Sequence, residues 1–319
     1  MPNLSDPRLG GNPVKKALTV LTLVSSTVLT ADDNKILPSV PTGAQAVSLF
    51  GTPLMPSTPN ETTLKKYEAA KATYDANPNN ADNIIWYGRR TAYKGDYREA
   101  IRIYSEGIEK LPNDARLYRH RGHRYISIRE FDRAIADLEH AATLIEGTAD
   151  VVEPDGLPNA KNIPIGSLHS NIWYHLGLAY YLENDLDNAL RIYRKANEDS
   201  ANDDKVASTS HWLYMTLRLL DRDEEAEEVL EPIHADMNII ENFVYQQLCL
   251  FYKGELAENA LTGGDLATND ALEYGIGNWY FYNDQPEKAR EIFERLLVGK
   301  GWASFGRIAA EADLHRTGS

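Results

Sequence analysis

The side chains best equipped for chemistry in this 319-residue chain crowd into one stretch, Leu117-Tyr118-Arg119-His120-Arg121-Gly122-His123-Arg124-Tyr125. Three kinds of chemistry are open to it. His120 and His123 stand at helical metal-ligand spacing, and His169, His175 or His211 could complete a site. Three arginines flank the pair and would repel a cation, and no carboxylate accompanies it, so no metal is assigned. Alternatively, His123 or His175 acts as general acid or base while Arg119 stabilises negative charge. No nucleophile elbow, glycine-rich phosphate loop or paired-carboxylate motif accompanies those histidines. The reading therefore leans away from an enzyme, with no catalytic residue and no cofactor assigned. The third chemistry is recognition. Arg119 and His123 lie four apart and share a helix face, where Arg can grip a carboxylate or phosphate with two parallel hydrogen bonds.

Charge narrows the partners. A formal net charge of -14 disfavours general binding to nucleic-acid phosphates or anionic membrane, which need an accessible positive surface. The distribution is uneven: residues 81–134 carry 12 Lys and Arg against 8 Asp and Glu, net +4, so the remainder sums to -18. One basic segment sits in an acidic body. Charged residues inside it have local partners as well, Arg116, Arg121 and Arg129 standing near Asp114, Glu130 and Asp132 in sequence. The single cysteine, Cys249, leaves no internal disulfide framework and no Cys-rich zinc site, and the run Leu248-Cys249-Leu250-Phe251 places it in a core.

At the N-terminus, Arg8, Lys15 and Lys16 precede a diluted apolar stretch, Ala17–Leu29, which has the form of a weak secretory signal within residues 1–31. It is shorter than the roughly 20 apolar residues a membrane span takes, so no span is expected. Localisation on this reading is secreted or periplasmic; a disordered tail on a cytoplasmic protein is the alternative. Residues 32–61 contain Pro38, Pro41, Pro53, Pro56 and Pro59 and read as an extended linker. Its short apolar piece Val47–Gly51 is suited to dock on the body, and a segment Val47–Leu54 filling the chain's own groove is a further possibility.

From Thr62 the pattern turns helical and then acquires a fixed period. Pro78 to Pro112, Gly88 to Gly122 and Ala100 to Ala134 are each 34 residues. Gly122 and Gly177 let one helix approach its partner closely, with Ala134 and Ala189 opposite, while Trp173, Leu176, Tyr180 and Tyr193 fill the space around the contact. Anchored this way, a half-repeat at 62–78 precedes repeats near 81–114, 115–148, 170–203, 207–240, a degenerate 237–262, and 270–303. Trp302–Leu314 reads as a terminal helix covering the last open face. Gly122 to Gly177 is 55 residues, one period plus 21, and the surplus, 147–169, is rich in Pro and Gly. Val151, Val152, Leu157, Ile163 and Ile165 are expected to bury themselves and order that insertion.

Trp173-x-x-Leu176-Gly177-x-x-Tyr180, followed by Ala189-x-x-x-Tyr193 and Ala196, resembles the tetratricopeptide repeat, and the likeness extends from Thr62 to Leu314. Segments such as Arg119–Arg124 and Asn171–Gly177 are similar to those of uncharacterised bacterial members of the family that carry N-terminal export signals. The resemblance implies an all-α, right-handed superhelical solenoid of antiparallel helix pairs, with about five to six repeats, some of them degenerate, and a C-terminal capping helix. It also implies a concave groove lined by first helices and used to bind peptides or partner proteins. Its register places Arg89, Arg119, His123, Asn171, Tyr174, His211 and Met215 along that groove, with His120, His175 and Trp212 at the seams. The family's carboxylate clamp corresponds here to Ile85, Arg89, His120, Asn171 and His175. Only the charge at Arg89 survives in kind, which argues against a chaperone clamp. The expected function is a scaffold that takes an acidic or aromatic segment of a peptide or protein in a basic-aromatic groove. The alternative is a small-molecule-binding protein or enzyme using the His/Arg cluster beneath the insertion. Oligomeric state is not legible in the sequence.

Overall fold

The computed structural model describes residues 37–261, 269–299 and 301–318, so the candidate targeting segment at 1–31 lies outside the described residues. The body, from Pro38 onward, opens with a short antiparallel hairpin, β1 (Ala46–Val47) and β2 (Pro53–Leu54), in which Ala46 faces Leu54. Everything after it is helical: α1 (Glu61–Ala76), α2 (Ala81–Tyr93), α3 (Tyr97–Lys110), α4 (Ala115–Ser127), α5 (Phe131–Ile145), α6 (Leu168–Leu182) and α7 (Leu186–Glu198). Then come α8 (Asp203–Leu219), α9 (Asp223–Leu230), α10 (Phe243–Tyr252), the single turn α11 (Glu258–Leu261), α12 (Asp270–Phe281), α13 (Pro286–Leu297) and α14 (Phe305–Thr317). Among the described residues no helix is long and apolar enough to cross a membrane.

Helices pack as sequential pairs, the expected tetratricopeptide-like solenoid. From α1 to α9 each helix touches the next, as do α12, α13 and α14, while α2, α4, α6 and α8 also touch in series and so build one continuous face. Close approach within a pair depends on the missing side chain of glycine. A Cβ on Gly122 would lie 2.8 Å from Leu138, and one on Gly177 2.7 Å from the Tyr193 ring. Both distances are well inside van der Waals contact, so any larger residue must push the pair apart.

The turn inside each pair repeats one backbone feature. Gly95, Arg129, Asn184, Asp221 and Asp284, each between the two helices of its pair, all have φ between 56° and 97°. Gly, Asn and Asp adopt this left-handed conformation readily, whereas a long side chain pays about 1–2 kcal/mol for it. Arg129 is the exception, and its tertiary contacts explain why it is there. Its guanidinium donates to Glu311 Oε2 at 2.6 Å and to the Trp302 carbonyl at 2.9 Å, with both partner side chains of the ion pair almost fully buried. The local acids Glu130 and Asp132, its expected partners, are not used.

That pair fixes α14. Besides packing on α12 and α13, the last helix touches α6 and is joined to the α4–α5 turn through Arg129. The hairpin joins the same contact: Leu49 N–H donates to Glu311 Oε1 at 2.6 Å, and Trp302 Nε1–H donates to the Met55 carbonyl at 2.6 Å. The Arg98 backbone N–H also donates to Gln45 Oε1 at 3.1 Å. The segment Val47–Leu54 therefore lies against α14 instead of filling the groove of its own chain, with Leu49 held by Glu311 and the Phe50 ring 5.7 Å from His315.

The 147–169 insertion does enter the face built by the first helices, though by polar contacts. Val151, Val152, Leu157 and Ile163 are all exposed, which corrects the expectation that apolar burial would order the loop. An isolated bridge, Val152 to Ser167, folds it back toward the start of α6. Glu153 N–H donates to the Gly166 carbonyl at 2.9 Å, and Leu168 N–H to the Val151 carbonyl at 2.8 Å.

Candidate functional site

A cavity of about 290 Å³ lies on the face shared by α2, α4, α6 and α8, beneath the insertion and beside the start of α14. Five predicted residues line it: Arg89, Arg119, Asn171, Tyr174 and His175. The remaining walls come from Glu153 and Asp155 of the insertion, Lys205 of α8, Tyr245 of α10 and Phe305 of α14.

The basic side chains are already engaged by the insertion. Asn171 Nδ2–H donates to Glu153 Oε2 at 2.5 Å, and Arg119 Nη2 lies 3.2 Å from the same oxygen. Arg89 donates to the Pro154 carbonyl at 2.7 Å and Arg90 to the Gly156 carbonyl at 2.8 Å. Gly156 is needed for this approach, since a Cβ there would overlap the Tyr93 hydroxyl and the Arg89 guanidinium. An extended acidic segment of the chain thus lies on the basic face with its carboxylate and its backbone carbonyls both recognised.

Among the histidines, His175 lines the cavity and His120 stands beside Arg119. His120 Nδ1 lies 2.8 Å from Arg119 Nη1, and as guanidinium can only donate, the imidazole accepts at Nδ1 and carries its hydrogen on Nε2. That hydrogen faces Glu153 Oε1 across 3.6 Å. Burial, and next the Arg119 charge, hold the ring neutral with its pKa well below the ordinary value. With Nδ1 engaged by an arginine, His120 is no metal ligand on that side, and among the described residues no group of three His, Cys, Asp or Glu side chains converges as metal donors. His175 Nδ1 donates to the Asn171 carbonyl at 2.6 Å; it too is held neutral, by burial first and then by Arg119. His123 does not line the cavity. Its half-buried ring packs between His175, 4.4 Å away, and Phe305, 5.2 Å away, with its pKa likewise depressed.

His211 corrects the register-based expectation. It is 1 % exposed, packs against Tyr245 and Tyr252, accepts or donates at 3.2 Å with the Tyr252 hydroxyl, and is pushed by burial to a pKa of about 3. The reason is positional: it stands one 34-residue period after Gly177, where the first helix faces inward. Met215, placed on the groove by the same register, is fully buried.

Sequence reasoning missed Lys205, Glu153, Asp155, Tyr245 and Phe305. One signal for Lys205 was present, since it lies one period after Asn171 and so shares its place on the helix face. Lys205 is only 9 % exposed, and burial, followed by repulsion from Arg119, lowers its pKa to about 8. Its neighbour Asp204 is fully engaged elsewhere, accepting from the backbone N–H groups of Ile240, Glu241 and Asn242 at 2.9, 2.8 and 2.7 Å.

Comparison with known proteins bears on the repeats alone. Family models described as tetratricopeptide repeat match residues 170–198 and 270–298. The chain carries tetratricopeptide repeats. Outside those two matches the repeats are recognisable chiefly by their helix pairs. The BBSome complex member BBS4 of Bos taurus is 28% identical over 140 residues, 44% of this chain and 23% of that protein. The small glutamine-rich tetratricopeptide repeat-containing protein 2 of Saccharomyces cerevisiae is 27% identical over 115 residues, 36% of this chain and 27% of its own length. The chain therefore spans about a quarter of the length of these curated relatives. Among solved structures, YrrB, a tetratricopeptide-repeat protein with an unusual peptide-binding site, aligns with a TM-score of 0.40 and 17% identity over 79% of this chain and 100% of its own. A tetratricopeptide repeat protein from Parabacteroides merdae aligns with a TM-score of 0.46 and 16% identity, over 79% and 92% respectively.

Proposed function

We propose that this chain is a binding scaffold that takes an extended acidic segment of a partner protein across Arg89, Arg119, Asn171 and Lys205. The observation that carries the reading is the placement of its own Glu153–Gly156 segment. A carboxylate lies against Arg119 and Asn171, and two carbonyls accept from Arg89 and Arg90, which is how a peptide ligand would be held. Tetratricopeptide proteins typically mediate protein–protein or peptide binding, and one relative is named as a member of a complex.

In this reading the insertion competes with the partner for the same donors. Because the two are mutually exclusive, the affinity for a partner is the intrinsic affinity multiplied by the fraction of time the surface is open. Weakening the insertion then strengthens partner binding.

The test uses a synthetic peptide spanning residues 150–158 and a neutral version with amides replacing its acids, titrated by fluorescence anisotropy into the full chain and its Glu153→Gln variant. Tighter binding of the acidic peptide to the variant than to the wild type, weakened by salt, is the expected result. Equal weak binding of acidic and neutral peptides to both chains would show that the surface does not read acidic segments. A second reading, a small-molecule site beneath the insertion, draws on the enclosure of Arg119 under the loop. It predicts that neither peptide binds.

A further inference from the structure

Three of the well-buried guanidinium groups among the described residues meet a carboxylate. Arg121 meets Asp137 through two hydrogen bonds of 2.7 Å, Arg129 meets Glu311 at 2.6 Å, and Arg119 lies 3.2 Å from Glu153. Lys205 is as deeply buried as Arg119, yet its ammonium makes no hydrogen bond or ion pair with any described residue. The carboxylates adjacent to it in sequence are taken: Asp204 by three backbone N–H groups, and Asp203 by the backbone N–H of Asn238 at 2.6 Å. Holding an ammonium in a nearly buried position without a partner is unfavourable, and a carboxylate that pairs with it relieves that cost. Here the ammonium borders a cavity instead of packed atoms.

The same cavity offers a second donor. Tyr174 OH lies 3.0 Å from Tyr245 OH, and Trp212 Nε1–H donates to Tyr174 OH at 3.1 Å. The two hydroxyls hold two hydrogens, and the bond between them uses one. The other is left to point at an acceptor, whichever ring carries it.

Resting on the proposed reading of the cavity as a partner-binding surface, we propose that Lys205 is the anchor for one side-chain carboxylate, an Asp or Glu of the partner segment, completed by the spare hydroxyl hydrogen of the Tyr174–Tyr245 pair. Glu153, Asp155 and Glu241 border the same space, so a single negative charge is favoured there over a dianion. Phe305 and the tyrosine rings give the stem of that side chain, or an adjacent aromatic residue, an apolar wall. The anchor is separate from the contacts of the insertion, since Glu153 reaches Arg119 and Asn171 while Lys205 stays unpaired. A partner can therefore use Lys205 even where it only partly replaces the loop.

The experiment titrates the full chain by calorimetry with acetyl-Gly-Glu-Phe-Gly-amide, its Gln counterpart, and free 3-phenylpropanoate. The blocked ends exclude recognition of a terminal carboxylate. Wild type should prefer the Glu peptide over the Gln peptide by on the order of tenfold or more, the worth of a charge-assisted hydrogen bond in a buried site. Lys205→Met and Lys205→Gln, each checked for native helicity, should lose that preference. A Glu/Gln preference unchanged in both variants overturns the Lys205 assignment while leaving the scaffold reading intact. Binding of 3-phenylpropanoate with neither peptide binding overturns both, and points to a free carboxylic acid as ligand.

Discussion

The unpaired ammonium has a consequence for stability that can be worked out. Burial and Arg119 lower the Lys205 pKa from 10.5 to about 8, against the weaker raising influence of Glu153, Glu241 and Asp155. At neutral pH the folded chain therefore carries a charge it holds less well than the unfolded chain does, a cost of about 3 kcal/mol at 1.36 kcal/mol per pH unit. The sign follows from proton counting. Between pH 8 and 10.5 the unfolded chain binds more protons at this site than the folded chain, so stability rises with pH across that window. From pH 7 to 9.5 the gain from this one group is about 2 kcal/mol. In a body of this size that is roughly 4 to 8 °C in melting temperature. Lys205→Met keeps the apolar stem and removes the charge. The variant should melt higher than wild type at pH 7, and the gap should narrow toward pH 9.5. Thermal melts followed by circular dichroism at several pH values in that range read the difference directly. Other groups titrating there are common to both chains and cancel in the comparison. Parallel pH curves for the two proteins would refute the claim that Lys205 is held charged and unpaired in the folded state.

Three further outcomes are expected. Arg129→Ala leaves Glu311 buried without its cation, which should cost roughly 3–5 kcal/mol and speed hydrogen exchange in α14 and the β1–β2 hairpin together; exchange unchanged in α14 would mean that the ion pair does not hold it. Gly156→Ala puts a methyl into Tyr93 and Arg89, so limited proteolysis should cut within 147–167 faster than in wild type while the melting temperature changes little. Acid should destabilise the chain through His120, His123, His175 and His211, all held neutral when folded. Each contributes stability above its unfolded pKa of about 6.5 that is lost as pH falls, at up to about 1.4 kcal/mol per pH unit, so His211→Phe should flatten the decline seen by thermal melts between pH 6.5 and 5.

What could be seen in the linear chain was whatever depends on near neighbours. Gly122 faces Leu138 and Gly177 faces Tyr193, 16 residues apart in each case, so the spacing of glycine, alanine and aromatic residues is enough to reveal pairs of helices. Arg89, Arg119, Asn171, Tyr174 and His175 were found for the same reason, because the 34-residue period gives their shared face. His211 was placed on the groove by the register of the resemblance, whereas one period counted from Gly177 puts it at that inward-facing position. Its burial among Tyr245 and Tyr252 depends on α10, a helix with no clear repeat pattern.

The cavity's character came from farther away. Glu153 belongs to an insertion outside the repeat pattern, and its role appears only when the loop turns back at the Val152–Ser167 bridge. Phe305 reaches His123 and His175 because α14 is fastened to Arg129 across 182 residues of chain. Arg129 itself looked like a surface charge with acidic neighbours. It became a buried tie only through Glu311 and the Trp302 carbonyl. Periodicity in sequence reports the packing of adjacent helices, since each pair buries its apolar face on the next. Which charges find a partner, and that Lys205 does not, depends on segments brought together by closure of the chain, and no local spacing records that.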